Sequence, residues 1–106
     1  MAEERHSPKL AVGDWAFTWD PDKAESNLKK HKVSFPDAAT AFLDPLALFL
    51  PDVAEPDNEI LIGHSTSGRL LFTVFVEVVT TQRLIRLISA RVATKHERKS
   101  YEDRQD

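Results

Sequence analysis

Two strand-like runs in the second half of the chain constrain the fold most. Residues 69–79 are almost all β-branched, aromatic or leucine residues, a composition typical of a central strand covered on both faces. Residues 83–92 form a second strand-like run, half of it leucine, isoleucine or valine, and only the polar residues 80–82 separate the two. The spacing predicts an antiparallel hairpin at the centre of a sheet.

A helix start precedes these runs. The Asp-Pro-Asp motif at residues 20–22 supplies a capping carboxylate, a proline suited to the first helical position and an acid that complements the helix dipole. It predicts a helix over residues 21–31, with Ala24, Leu28 and His31 on one stripe. Because this helix is short and polar, packing must stabilise it.

A second helix is predicted to start at Ser34. Asp37, three residues later, completes a variant of the capping box, and Pro36 suits the first turn. The Asp-Pro pair at residues 44–45 ends this helix.

Shorter elements complete the expected architecture. Three further segments are predicted to be strands: residues 15–19, 46–50 and 59–64. Thr94 and Glu97 form a capping box that predicts a last helix to about Asp103. The fold class is therefore α+β: an antiparallel sheet of about four strands, two N-terminal helices and one C-terminal helix. Residues 1–14 lack periodicity and are expected to be a loose tail, which leaves residues 15–106 as a single domain.

Composition narrows the class of protein. The chain of 106 residues has no cysteine, so it has neither disulfides nor a thiolate zinc site, and nothing in it indicates secretion. The N-terminus is polar, unlike a signal peptide, and no apolar stretch is long enough to span a bilayer. A cytoplasmic location follows by elimination.

The charge is unevenly distributed. Residues 1–60 carry six Lys/Arg and twelve Asp/Glu, a net −6, whereas residues 61–106 carry eight and five, a net +3. The halves sum to the net charge of −3. This asymmetry indicates a basic working face on an acidic remainder, although small domains also vary this much by chance.

Arginines lie at the ends of the two long runs. Alternate residues of a strand share a face, so Arg91 belongs to a set with Ser89 and Leu87. Pairing across the hairpin places Arg69 and Arg91 at the same edge, and whether they share a face depends on a register that the sequence leaves open. Two converging guanidinium groups would hold a scissile phosphate. The alternative is that the arginines are ordinary surface residues or pair with acids, namely Glu77, Glu97 or Glu102.

Histidines are the other candidates for chemistry. His31 ends the first helix beside Lys30, where the dipole favours a histidine whatever its function; the functional alternative is a general acid or base or a phosphate contact. His64 ends a predicted strand and is a second candidate, whereas His6 and His96 are expected to be solvated. The four histidines lack metal-ligand spacing, so no metal or other cofactor is expected.

A spaced set of motifs resembles the BrnT toxin family. The matching positions cover roughly residues 17–102: Phe17-Thr18-Trp19-Asp20-Pro21, Lys23, Asn27, Lys30-His31, Val33-Ser34-Phe35, Ala38-Ala39, Phe42-Leu43-Asp44-Pro45-Leu46, Gly63, Ser65, Gly68-Arg69-Leu70-Leu71, Ile85-Arg86-Leu87-Ile88-Ser89-Ala90-Arg91, Ala93-Thr94, Glu97-Arg98 and Tyr101-Glu102. Lys32 departs from the pattern, because the family usually has glycine there. A lysine either adopts the left-handed conformation at a cost of roughly 1 kcal/mol, or the helix ends differently.

The resemblance implies a RelE-like fold and a ribonuclease toxin of a type II toxin–antitoxin system. Such toxins inhibit growth by cleaving RNA without a metal, through attack of the ribose 2′-OH on the adjacent phosphate. The implied candidate catalytic residues are His31, Arg69, Arg91, Lys30 and Ser89. Those expected to bind the substrate are Arg69, Arg91, His64 and Tyr101.

The resemblance also implies partners. They are the RNA substrate and a BrnA-like ribbon-helix-helix antitoxin, with a heterotetramer as one assembly to test; operator DNA would be bound only through that complex, and no membrane is involved. The main rival is a catalytically inactive binding module of the same fold, which binds the antitoxin or a regulatory partner. RNA degradation in EDTA discriminates between these functions.

Overall fold

One mixed sheet organises the chain. The structure is a computed structural model that describes residues 7–79, 81 and 83–104. The strands in this part are β1 Lys9–Val12, β2 Trp15–Trp19, β3 Leu48–Pro51, β4 Glu59–His64, β5 Leu70–Val79 and β6 Leu84–Val92. The helices are α1 Pro21–His31, α2 Phe35–Thr40 and α3 Lys95–Asp103, and a 3₁₀ turn, Ala41–Leu43, follows α2. The sheet order is β1-β2-β6-β5-β4-β3; β2 and β6 are parallel and the other neighbours antiparallel.

The α+β class is confirmed, but the predicted sheet of about four antiparallel strands with two N-terminal helices is wrong. β1 lies within the segment 1–14 for which the sequence predicts a loose tail, and pairs with β2; residues 1–6 lie outside the described residues. Both β1 and β2 precede the helices. Local periodicity misses β1 because it has four residues, and misses the parallel pairing of Phe17 with Ile85 because those residues are distant in sequence.

The helices cover both faces of the sheet. In β4, Leu61 packs in a main core with α2, whereas its neighbour Ile62 packs with Tyr101 of α3. Because successive residues of a strand point to opposite faces, α2 and α3 lie on opposite sides of the sheet. The main core includes Phe42, whose ring centroid lies 4.8 Å from that of Phe17.

A bulge in the central hairpin changes the side-chain phase of β6. Val74 pairs with Ser89 and Phe75 with Leu87, so Ile88 is an extra residue. Leu87 and Ala90 therefore both face the main core, and residues 89 and 91 point to the α3 face. The predicted set that joins Leu87, Ser89 and Arg91 on one face is broken at residue 88.

The predicted bounds of α1 are confirmed, and its caps explain them. Asp20 accepts a hydrogen bond from the backbone N–H of Asp22, and Lys32 ends the helix in the left-handed conformation, with φ 59° and ψ 29°. The predicted stripe of Ala24, Leu28 and His31 is not the buried face of the helix: Leu28 is 48% exposed, and the buried residue of the helix is Asn27. Asn27 is buried because it bonds the edge of β6.

The left-handed backbone conformation of Lys32 leads to a prediction about stability. Replacing Lys32 with glycine is expected to raise the free energy of unfolding by about 0.5–1 kcal/mol, because the relief of left-handed strain exceeds the added entropy of the unfolded chain. Lys29→Gly, in the last turn of the same helix at a position with negative φ, is the matched control and is expected to lower it by about 1 kcal/mol. Urea denaturation measures both; a less stable Lys32→Gly variant would contradict the prediction.

Candidate functional site

A cleft lies between α1 and the open edge of β6. The parallel pairing with β2 ends at Leu87, and no strand in the described part of the chain pairs with the following residues of β6 on that side. Helix α1 lies there instead, and the cleft between them has a volume of about 190 Å³. The residues that line it are Lys23, Ser26, Asn27, Lys30, His31, Ile88 and Ser89.

Asn27 attaches α1 to this edge. Its Nδ2 donates to the backbone carbonyl oxygens of Ala90, at 2.8 Å, and Val33, at 3.0 Å. Its Oδ1 accepts from the backbone N–H of Ala90 at 3.0 Å. The side chain thus takes the place of a neighbouring strand and sets the distance between the helix and β6.

The cleft brings together three predicted site residues. Lys30 and His31 come from the last turn of α1, and Ser89 comes from the other end of the chain. Lys23, which was not predicted as a site residue, also lines the cleft and lies two turns before Lys30 on the same helix face. Their i, i+7 spacing was the signal available in the sequence. Both lysines and His31 are exposed, and the described residues form no ion pair with them.

Arg69 lies at the C-terminal end of α1. Its Nη1 donates to the backbone carbonyl oxygen of Lys32 at 2.7 Å, and its Nη2 donates to Oδ2 of Asp37 at 3.0 Å. Arg69 thus bonds the residue that follows His31, but Asp37 of α2 already partly neutralises its guanidinium group.

Arg91 lies on the α3 side of the sheet. Its Nη1 and Nη2 each donate to one carboxylate oxygen of Glu97 at 2.8 Å, and its guanidinium carbon lies 4.2 Å from the ring centroid of Phe72. The bidentate hydrogen bond outweighs burial and lowers the pKa of Glu97, and the same bond raises the pKa of Arg91. Pairing with Glu97 was one of the alternatives that the sequence left open.

The two arginines therefore do not form a shared phosphate clamp. Arg69 belongs to the same alternating set as Leu71, which packs in the main core, whereas Arg91 stacks on Phe72, which packs with the residues under α3. The hairpin does place them at the same end of the sheet, since Leu71 pairs with Val92. The register puts them on opposite faces.

The predicted substrate-binding residues His64 and Tyr101 form a separate cluster around Asp44. Oδ2 of Asp44 accepts from the Tyr101 hydroxyl at 2.7 Å and from the backbone N–H of His64 at 2.8 Å. His64 Nδ1 lies 3.2 Å from the Tyr101 hydroxyl oxygen. This cluster joins β4, α3 and the residue after the 3₁₀ turn.

The cluster shifts the pKa of two of its members. Burial, together with the hydrogen bond to Asp44, raises the pKa of Tyr101 to about 12. Burial alone would raise the pKa of the Asp44 carboxyl, but hydrogen bonds from the His64 backbone, Tyr101 and the Leu46 backbone outweigh it and lower that pKa. A neutral Tyr101 therefore donates to an ionised Asp44.

Among the described residues, no group of three His, Asp or Glu side chains is arranged to hold a metal ion. None of the helices in the described part of the chain has the length and apolar character needed to cross a membrane.

Comparisons with known proteins identify the family. The model of the ribonuclease toxin BrnT of type II toxin–antitoxin systems matches residues 19–97, well over half of the chain. Among solved structures, the fold is similar to that of the Brucella abortus ribonuclease toxin BrnT, with a TM-score of 0.58 and 24% sequence identity. The match covers 73% of this chain and 94% of that one. No curated protein sequence matches the chain significantly. The extent of the family match shows that the chain belongs to the BrnT family of ribonuclease toxins of type II toxin–antitoxin systems.

Proposed function

We propose that this chain is an endoribonuclease toxin that cleaves RNA without a metal in the cleft between α1 and β6. The observation that carries the proposal is the convergence of Lys30 and His31 with Ser89 in one exposed cleft. Ser89 lies far from Lys30 and His31 in sequence, and membership of a ribonuclease toxin family supports a role for the three residues in RNA cleavage.

The proposed reaction is attack by a ribose 2′-oxygen on the adjacent phosphorus. The 2′-OH loses its proton, the new O–P bond forms and the bond to the 5′-oxygen breaks; that oxygen takes up a proton. The products are a 2′,3′-cyclic phosphate and a 5′-hydroxyl end. His31 is the proposed proton-transfer group, since imidazole takes up and releases protons near neutral pH.

The remaining side chains stabilise charge. Lys23 and Lys30 are placed to bind the phosphate oxygens as negative charge grows on them, and the Ser89 hydroxyl donates a hydrogen bond. Arg69 is proposed as a further phosphate ligand at the end of α1, because it bonds the carbonyl of Lys32, the residue that follows His31. His64 and Tyr101 stay proposed substrate contacts outside the cleft.

The proposed partner is a BrnA-like ribbon-helix-helix antitoxin that neutralises the toxin. Family membership supports an antitoxin partner. Binding to operator DNA is proposed to occur only through their complex, and the proposed site of action is the cytoplasm.

Incubation of a single-stranded RNA with the protein in EDTA tests the reaction. We expect cleavage to fragments with 2′,3′-cyclic phosphate and 5′-hydroxyl ends, identified by mass spectrometry. The matched control is the same oligonucleotide with 2′-deoxyribose at the cleaved position, which lacks the attacking oxygen and should stay intact there.

Two outcomes would contradict the proposal. Intact RNA with protein that is folded by circular dichroism would favour the inactive binding module. Cleavage that requires added Mg²⁺, or that proceeds at the 2′-deoxy position, would indicate a different nuclease mechanism.

A further inference from the structure

Arg91 is held as a flat, fixed cation. Both terminal nitrogens bond the carboxylate of Glu97 at 2.8 Å, and one face of the guanidinium group covers the ring of Phe72. Glu97 is itself fixed, because its Oε1 accepts from the backbone N–H of Thr94 and its own N–H donates to the Thr94 hydroxyl. The orientation of the Arg91 guanidinium plane is therefore fixed in the free protein.

Part of the Arg91 side chain stays open to solvent. The Arg91 side chain is 36% exposed although Glu97 occupies its terminal edge and Phe72 one of its faces. Phe72 and Glu97 occupy one face and the terminal edge, so the exposed part lies on the rest of the side chain, which comprises the opposite face and the aliphatic stem. With its bidentate edge occupied by Glu97, Arg91 is poorly placed to clamp a phosphate, but its open face suits a planar, electron-rich partner.

The open face lies next to the cleft. Ser89 lines the cleft, and the bulge at Ile88 places Ser89 and Arg91 on the same side of the sheet. Two residues of a strand span about 6.5–7 Å. A nucleotide whose phosphate lies near Ser89 can therefore reach Arg91 with its base.

We propose that Arg91, supported by Phe72 and Glu97, is a stacking platform for the nucleobase beside the scissile phosphate. This inference rests on the proposed function and deepens it by naming the substrate class, single-stranded RNA with an unpaired base at this position. Stacking on a guanidinium plane tolerates any base, whereas the bases of a duplex are already stacked and out of reach.

The experiment measures binding, so it does not depend on cleavage. Fluorescence anisotropy gives the Kd of a labelled RNA octamer that carries 2′-deoxyribose at the cleaved position, and of versions with one abasic residue at each position in turn. For the unmodified protein we expect one abasic position to weaken binding about 5- to 100-fold. Arg91→Ala should weaken binding of the intact octamer by a similar factor, with no further loss from the abasic residue at that position.

Two further variants separate stacking from other roles. Arg91→Lys keeps the charge but loses the plane, so it should lose the abasic effect as Arg91→Ala does; restored binding would indicate a phosphate contact and overturn the proposal. Glu97→Gln weakens the ion pair but keeps Arg91 over Phe72, so the abasic effect should persist. An equal loss in Glu97→Gln and Arg91→Ala would indicate a structural ion pair and also overturn it.

The two proposals fail in different ways. Equal Kd values for all abasic octamers and the intact octamer would overturn the platform even if the protein cleaves RNA. An abasic effect that requires Arg91, in a protein that leaves RNA intact, would support the platform while contradicting the proposed ribonuclease reaction.

Discussion

Replacing His31 with alanine is expected to slow RNA cleavage by about 10²- to 10⁴-fold, the usual contribution of a general acid or base. His31 is exposed at the last turn of α1, where its side chain lines the cleft opposite Ser89. Its removal exposes no core, so the variant should unfold at the same urea concentration as the parent protein. The initial rate of cleavage of the single-stranded RNA in EDTA measures the effect.

A pH–rate profile distinguishes proton transfer from simple phosphate binding. If His31 transfers a proton, the variant should lose the limb of the profile that reports the imidazole. His96→Ala is the matched control, because His96 is an exposed histidine on α3 and does not line the cleft. A His31→Ala variant with the parent rate and an unchanged profile would exclude His31 from acid–base chemistry.

Local signals predicted the parts of the fold that local contacts determine. The bounds of α1 could be predicted from Asp20 and Pro21 at its start and from the basic residues of its last turn. All of these residues lie in the helix or next to it in sequence. The capping box of α3 is present as predicted, with Thr94 and Glu97 bonded to each other's backbone. The predicted strand 59–64 is confirmed as well.

Contacts between segments that are distant in sequence could not be predicted from the sequence. The parallel contact of β2 with β6 joins distant segments, and the bulge at Ile88 depends on the pairing of β5 with β6. That bulge determines the face of the sheet on which Arg91 lies. Without it, Arg91 would share the face of Leu87, and the predicted arginine clamp would have been possible. One extra residue thus separates the predicted phosphate contact from the observed pair with Glu97.

The buried face of α1 shows the same limit in one residue. Ala24 and Leu28 predict an apolar stripe, but Leu28 is half-exposed and Asn27 is 6% exposed. The burial of the polar Asn27 side chain can be predicted only once the open edge of β6 is known, because Asn27 bonds the backbone groups of Ala90 there. Because β2 stops pairing at Leu87, the backbone groups of Ala90 lack a partner among the described strands, and Asn27 bonds them instead.

Asn27→Ala is expected to lower the free energy of unfolding by about 3 kcal/mol or more, because it leaves three buried backbone groups without hydrogen-bond partners. These are the carbonyl oxygens of Val33 and Ala90 and the N–H of Ala90. Ser26→Ala is the matched control: Ser26 is the exposed neighbour that lines the same cleft, and its loss should change stability by less than about 0.5 kcal/mol. Urea denaturation measures both, and an Asn27→Ala variant as stable as the parent would contradict the argument.

Asn27→Asp tests the direction of the hydrogen bonds. The carboxylate can still accept from the N–H of Ala90, but its second oxygen then faces the two carbonyl oxygens to which Nδ2 donates. Burial and that repulsion raise the pKa of the introduced carboxyl in the folded state above its unfolded value, so folding favours the protonated form. The variant should therefore regain stability relative to the parent protein as the pH falls, since the protonated acid donates one of the missing bonds. A stability difference independent of pH would mean that the side chain moves out of the cleft, and that α1 is held against β6 by packing alone.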